Sequence, residues 1–166
     1  MAAKKTQKPQ VNIAPPTQYI FSHMVNRFSI KRERGFIIVS FGLLDEEDLL
    51  VDSFSCIIPQ STLDSNKENL VDFSERIGPP KEPVPSWSME KEKRKEFSLD
   101  NGVVDFIHLT NWDDAHAEIC FWNYSRASLS DLTHMPGNQV LHPWGLALLR
   151  CDIDLQRAFL RDLYAV

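Results

Sequence analysis

From Tyr19 to Pro59 the apolar residues come in short runs divided by charged turns, and the same alternation returns after Gly102. Tyr19 to Ile30 alternates imperfectly. Tyr19, Phe21 and His23 share one side and Ile20, Met24, Phe28 and Ile30 fall among the rest, so the run reads as a strand with a bulge. Lys31 to Gly35 reads as a charged turn. Phe36 to Leu44 (FIIVSFGLL) is β-branched and aromatic throughout, the strongest strand signal in the chain, and its continuous apolarity predicts cover on both faces. After the acidic turn Asp45–Asp48, Leu49 to Pro59 returns as a third strand, which makes an antiparallel meander.

A helix is predicted next. Ser61 or Ser65 is its expected cap, Leu63, Leu70, Phe73, Ser74 and Ile77 form its apolar stripe, and Gly78-Pro79 is its stop. The second stretch repeats the plan. Gly102 to Thr110 and Ala115 to Tyr124 read as a hairpin, Ser125 to Gly137 as irregular chain, and Trp144 to Cys151 as a strand. A helix capped by Asp152 or Asp154 follows, with Leu155, Phe159, Leu160 and Leu163 inward and Arg157 and Arg161 outward.

Between these stretches the alternation stops. Residues 79–98 are Pro-rich and then densely charged, and residues 1–17 are polar and Pro-containing. The expectation is therefore an α+β, mainly antiparallel β protein, made of two β-meander-plus-helix halves (β-β-β-α, twice). The halves would pack as sheets or a sandwich with helices at the strand ends. The boundaries are a flexible tail at 1–17, a first half at 18–78, a linker at 79–98 and a second half at 99–166. The linker reads as a stiff spacer that also carries bare PxxP spacing at Pro80–Pro83. Trp87 within it is expected to dock onto its own domain.

Composition adds bounds. At 166 residues and 43% hydrophobic, the chain can bury a core without metal or disulfide. A net charge of -5 disfavours nucleic acid and anionic membranes as partners. Two basic clusters (Arg27, Lys31, Arg32, Arg34; and Lys91, Lys93, Arg94, Lys95) are small or interleaved with acids. Cys56, Cys120 and Cys151 lack CxxC spacing, and the polar Met1–Gln10 lacks a secretory core. Reduced thiols in a soluble, cytoplasmic protein are expected, and no run is long and apolar enough for a membrane span.

Chemistry centres on the second-half hairpin. One face of strand 114–124 carries Asp114, His116, Glu118, Cys120, Trp122 and Tyr124. With Thr110 paired to Asp114, His108 would sit opposite His116 with Glu118 one pair along, a set suited to a divalent metal or to acid–base work. Solvent-facing strands carry such residues routinely, and the HExxH, GxSxG, P-loop and GxGxxG patterns are absent. No cofactor is expected.

The leading expectation is a non-catalytic protein-binding or scaffolding module that self-associates or engages a protein partner, with Trp87, Trp112, Trp122 and Trp144 as candidate interface anchors. One alternative is a small metal-dependent or His-assisted hydrolase using His108, His116 and Glu118, with Asp114 orienting an imidazole. Another is an acidic inhibitor or immunity-type partner of a basic protein.

Overall fold

The structure, a computed structural model, describes residues 11–88, 103–131 and 138–165. Among the described residues, eight strands and two helices follow one another in the expected α+β order. They are β1 (Val11–Ile13), β2 (Tyr19–Met24), β3 (Arg27–Glu33), β4 (Phe36–Leu44), β5 (Leu50–Pro59), α1 (Gln60–Ile77), β6 (Phe106–Asn111), β7 (His116–Asp131), β8 (Gln139–Asp152) and α2 (Ile153–Leu163). β3-β4-β5 form one antiparallel meander, and β6-β7-β8 form a second. Each meander runs straight into a helix, so the β-β-β-α plan does occur twice.

The run Tyr19–Ile30 does not stay in one sheet. β2 pairs in parallel with β8 of the other half, Tyr19 beside Gly145 and Met24 beside Arg150. The chain then bends, and β3 pairs with β4. A latch marks the bend. Val25 N–H donates to the Arg150 carbonyl, and Asn26 N–H donates to the Gly42 carbonyl. The Asn26 side chain, in turn, accepts from Leu44 N–H and donates to the Leu44 carbonyl.

The second half uses the same device. Val104 N–H donates to the Ile57 carbonyl on β5, Asp105 N–H donates to the Trp122 carbonyl on β7, and the Asp105 carboxylate accepts from Tyr124 N–H. In each half the first strand thus begins on the other half's last strand and ends on its own middle strand. These two crossings stitch the sheets into one curled wall, and every backbone donor at the bend is used.

Inside that wall sits an aromatic centre. Phe41 (β4), Phe121 (β7) and Phe159 (α2) are fully buried, with the Phe159 ring 5.2 Å from Phe41 and 6.5 Å from Phe121. Burying one such ring contributes about 2–3 kcal/mol. The stripe expected on α2 is buried as expected, and the Asp152 side chain caps the helix by accepting from Asp154 N–H. α1 differs from expectation at its start. It begins at Gln60, directly after Pro59, with no side-chain cap, because β5 turns into the helix without an intervening loop. It ends at Ile77, and the following Gly78 has a φ of 77°, open to glycine at no steric cost.

Three further expectations need correction. Lys31–Glu33 belongs to β3, which leaves Arg34-Gly35 as the turn. Val11–Ile13, placed in the tail, forms a strand parallel to Gln139–Leu141. The stretch after Ser125, expected as irregular, continues as β7 to Asp131. It pairs with a β8 that starts at Gln139, because the ladder satisfies a polar backbone whatever its side chains favour. β1 and these ends of β7 and β8 make a three-stranded ribbon.

The Pro-rich segment packs on the protein from Pro79 to Ser88 and is called the strap below. Lys81 N–H donates to Asp154, Val84 packs against the core, and the Trp87 indole covers Gly42. Residues 1–10 and the charged run Lys91–Glu96 lie outside the described residues.

Candidate functional site

The outer face of the second sheet holds the residues singled out for chemistry, in a register different from the expected one. His108 pairs with Cys120 and Thr110 with Glu118, while His116 pairs with Asp152 of β8. The slip is four residues, so facing is preserved but distance is not. His116 sits roughly 13 Å along the strand from the position opposite His108. The hairpin turn is longer than assumed, because Trp112 N–H reaches the His116 carbonyl and Asp113 ties the turn. His108 and Glu118 therefore share a neighbourhood and His116 stands apart. Among the described residues no group of three or more His, Cys, Asp or Glu side chains could hold a metal ion.

Each member has a partner. The exposed His116 ring contacts the Asp113 carboxylate at 2.9 Å. That hydrogen bond, with two backbone N–H donors, holds Asp113 down at about 2, and it raises His116 above its ordinary value. Asp114 stays in the turn. Glu118 is only 7% exposed, and the Trp112 Nε1–H donates to its Oε1. Trp112 itself is 64% exposed, with the Arg150 guanidinium 5.8 Å from its ring centre. Arg150 lies directly across the ladder from Glu118. The carboxylate is thus roofed by an indole and faced by a cation.

Further along, His108 stacks on Trp122 at 5.2 Å, and Trp122 Nε1–H donates to the Tyr19 hydroxyl at 3.0 Å. Burial lowers the His108 pKa against an opposing pull from Glu118, so the ring is neutral near pH 7. Burial also pushes Cys120 up to about 11 and Cys151 up to about 12. It raises Cys56 and Tyr19 as well, and all three thiols are buried and unpaired as disulfides. The His108 ring lies at 26° to the Trp122 ring, close to parallel, as a packing contact.

The four tryptophans divide. Trp122 is buried in the stack, Trp87 is half-buried over Gly42, and Trp112 and Trp144 are exposed at the surface. Trp144 borders a cleft with Tyr19 and Pro143. The sequence pointed to Trp112 only as an aromatic. That it covers Glu118 depends on the turn folding back six residues.

Two grooves between a helix and an edge strand were not foreseen. One lies between α2 and β3. Its open side is walled by Val84–Ser88 of the strap, which leaves a crevice of 570 Å³. The other lies between α1 and β6 and has a volume of 640 Å³, with Leu70 and Phe73 on one wall and Ile107 and Leu109 on the other. Asp72 and Glu75 stand on its rim, and their helical spacing around Phe73 was the one signal available.

No family model matches the chain, and neither a curated protein nor a solved structure matches it. No described helix is long and apolar enough to cross a membrane.

Proposed function

We propose that this chain is a non-catalytic protein-binding or scaffolding module that self-associates. One observation carries the proposal. On the three-stranded ribbon, Ile13 pairs with Leu141 and Leu141 with Leu129, so the three side chains form a row on one face. Ile13 is 48% and Leu129 56% exposed. None of the three belongs to the hydrophobic core.

A row of aliphatic side chains on a small sheet gains little stability until something covers it. A second copy suits it, since the row itself carries no charge and an aliphatic row is self-complementary across a two-fold axis. The roofed Glu118 and the neutral, stacked His108 support the non-catalytic part of the reading.

Light scattering on the purified chain tests it. The expected result is an assembly larger than the monomer, reduced to monomer by Ile13→Asp with Leu129→Asp while the far-ultraviolet circular dichroism is unchanged. A wild-type chain that stays monomeric from about 1 µM to about 0.5 mM would remove self-association.

A further inference from the structure

The halves share three hydrogen bonds at the latch, two from backbone N–H groups and one to a side-chain oxygen, and that match extends to what stands beside it. Asn26 corresponds to Asp105, and Arg27 paired with Gly42 corresponds to Phe106 paired with Trp122. Phe28 and Ile30 of β3 then correspond to Ile107 and Leu109 of β6, and α2 stands beside β3 as α1 stands beside β6. The α2–β3 groove is bounded on a third side by an extended piece of the chain, Val84–Ser88. The α1–β6 groove has no such wall among the described residues.

We propose that the α1–β6 groove is a docking site for an extended peptide segment of a partner protein, seated as the strap is seated beside α2 and β3. The strap fixes the kind of segment. It is extended and proline-flanked, and its Val84 is the residue that reaches the core. The second anchor, Trp87, lies over Gly42, and the matching position in the other half already holds Trp122. The incoming segment therefore needs one aliphatic anchor and no indole, and the half-buried Phe73 and Leu109 receive it above the buried Leu70 and Ile107.

Backbone polarity adds a reason. Ile107 N–H points away from β7 toward the Asn66 side chain, and strand alternation turns the Leu109 N–H to the same side. A carbonyl of an extended peptide can accept from the Leu109 N–H, since the Ile107 N–H already donates to Asn66 Oδ1. Charge selects among such peptides. Asp72 and Glu75 are exposed on the rim, and Arg76, the opposing cation, lies over the Phe73 ring. Basic flanks suit this rim and acidic flanks do not.

The inference rests on the protein-binding reading but not on self-association, which light scattering measures separately. The probe is a fluorescein-labelled peptide, Lys-Lys-Pro-Val-Pro-Ser-Lys, the strap's own Pro-Val-Pro-Ser with basic flanks, added to the full chain. Saturable binding by anisotropy is expected. So is slowed amide exchange over Phe106–Leu109, with a loss of about tenfold or more in affinity for Asp72→Lys with Glu75→Lys. Both substituted side chains are exposed, so the fold is not at risk. A peptide with Val replaced by Ser should bind more weakly by about tenfold. Three outcomes overturn the proposal: no binding at about 1 mM, protection over Phe28–Arg32 in place of β6, or affinity indifferent to the charge reversal.

Discussion

At the latch the two halves do the same thing with different residues, Asn26 holding Leu44 N–H in one and Asp105 holding Tyr124 N–H in the other. A few atoms away they part. Position 42 is glycine, and the Trp87 ring lies where a Cβ would stand, 2.9 Å from its ideal position. The matching Trp122 fills that place with its own side chain and stacks on Phe106 and His108. One half is closed by a segment brought from elsewhere in the chain, and the other closes its sheet face from within and, among the described residues, has no third wall to its helix–strand groove. A repeated backbone plan thus constrains hydrogen bonds strongly and surface chemistry weakly, since the ladder is indifferent to side chains that point away from the shared core.

The strongest way to break the contrast is to remove what the halves share. Phe159 touches Phe28 of one half and Phe121 of the other, so Phe159→Ala should cost about 4 kcal/mol in denaturant unfolding and raise amide exchange at both β3 and β6. A rise confined to one strand would mean that the aromatic centre is not common to both. Trp87→Ala sharpens the contrast. It should cost about 2 kcal/mol and raise exchange over Phe28–Arg32 while leaving Phe106–Leu109 unchanged. Equal increases on both strands would show that the strap does not belong to one groove.

The smallest effect lies at the turns. Arg34-Gly35 closes the first hairpin, whereas the second is tied by Asp113 and His116. Asp113 is depressed to about 2 from 3.8, so its contribution is present above 3.8 and lost as pH falls through about 2. His116 is raised from 6.5, so its contribution is complete below 6.5 and lost as pH rises through the raised value. Asp113→Asn should therefore lower the His116 pKa toward 6.5 in an NMR titration, and the β3–β4 hairpin should show no matching pH dependence. An unmoved His116 titration would show that the carboxylate does not set it. Both groups are exposed, so global stability should barely change.

The expected His108, His116 and Glu118 cluster shows how much of a site a sequence can display. Alternation placed all three on one face correctly, because facing depends only on parity. Their spacing depends on register, and register depends on where Asp113 folds the turn and which residue of β8 meets His116. Neither is encoded in the hairpin's own letters. Similarly, Phe36–Leu44 was legible to the residue because nine consecutive apolar or small positions need cover on both faces, and the helix stripe of α2 was legible because Leu155, Phe159 and Leu163 recur every four residues. The ribbon was not. Ser125–Asp131 has little strand propensity of its own and is a strand because β8 supplies its bonds.

Local periodicity and the mid-chain loss of alternation were enough to determine two strand-rich halves, each ending in a helix, with a proline-rich piece between them. Only the tertiary structure decided that β2 would cross to β8 in parallel, that Asn26 and Asp105 would make matching latches, and that the strap would wall one groove and not its counterpart. Such choices join residues far apart in the chain, as Tyr19 is joined to Gly145, 126 positions on. A contact of that separation has no periodicity along the chain to announce it, and it forms because buried backbone groups must find partners wherever the folded core brings them within reach.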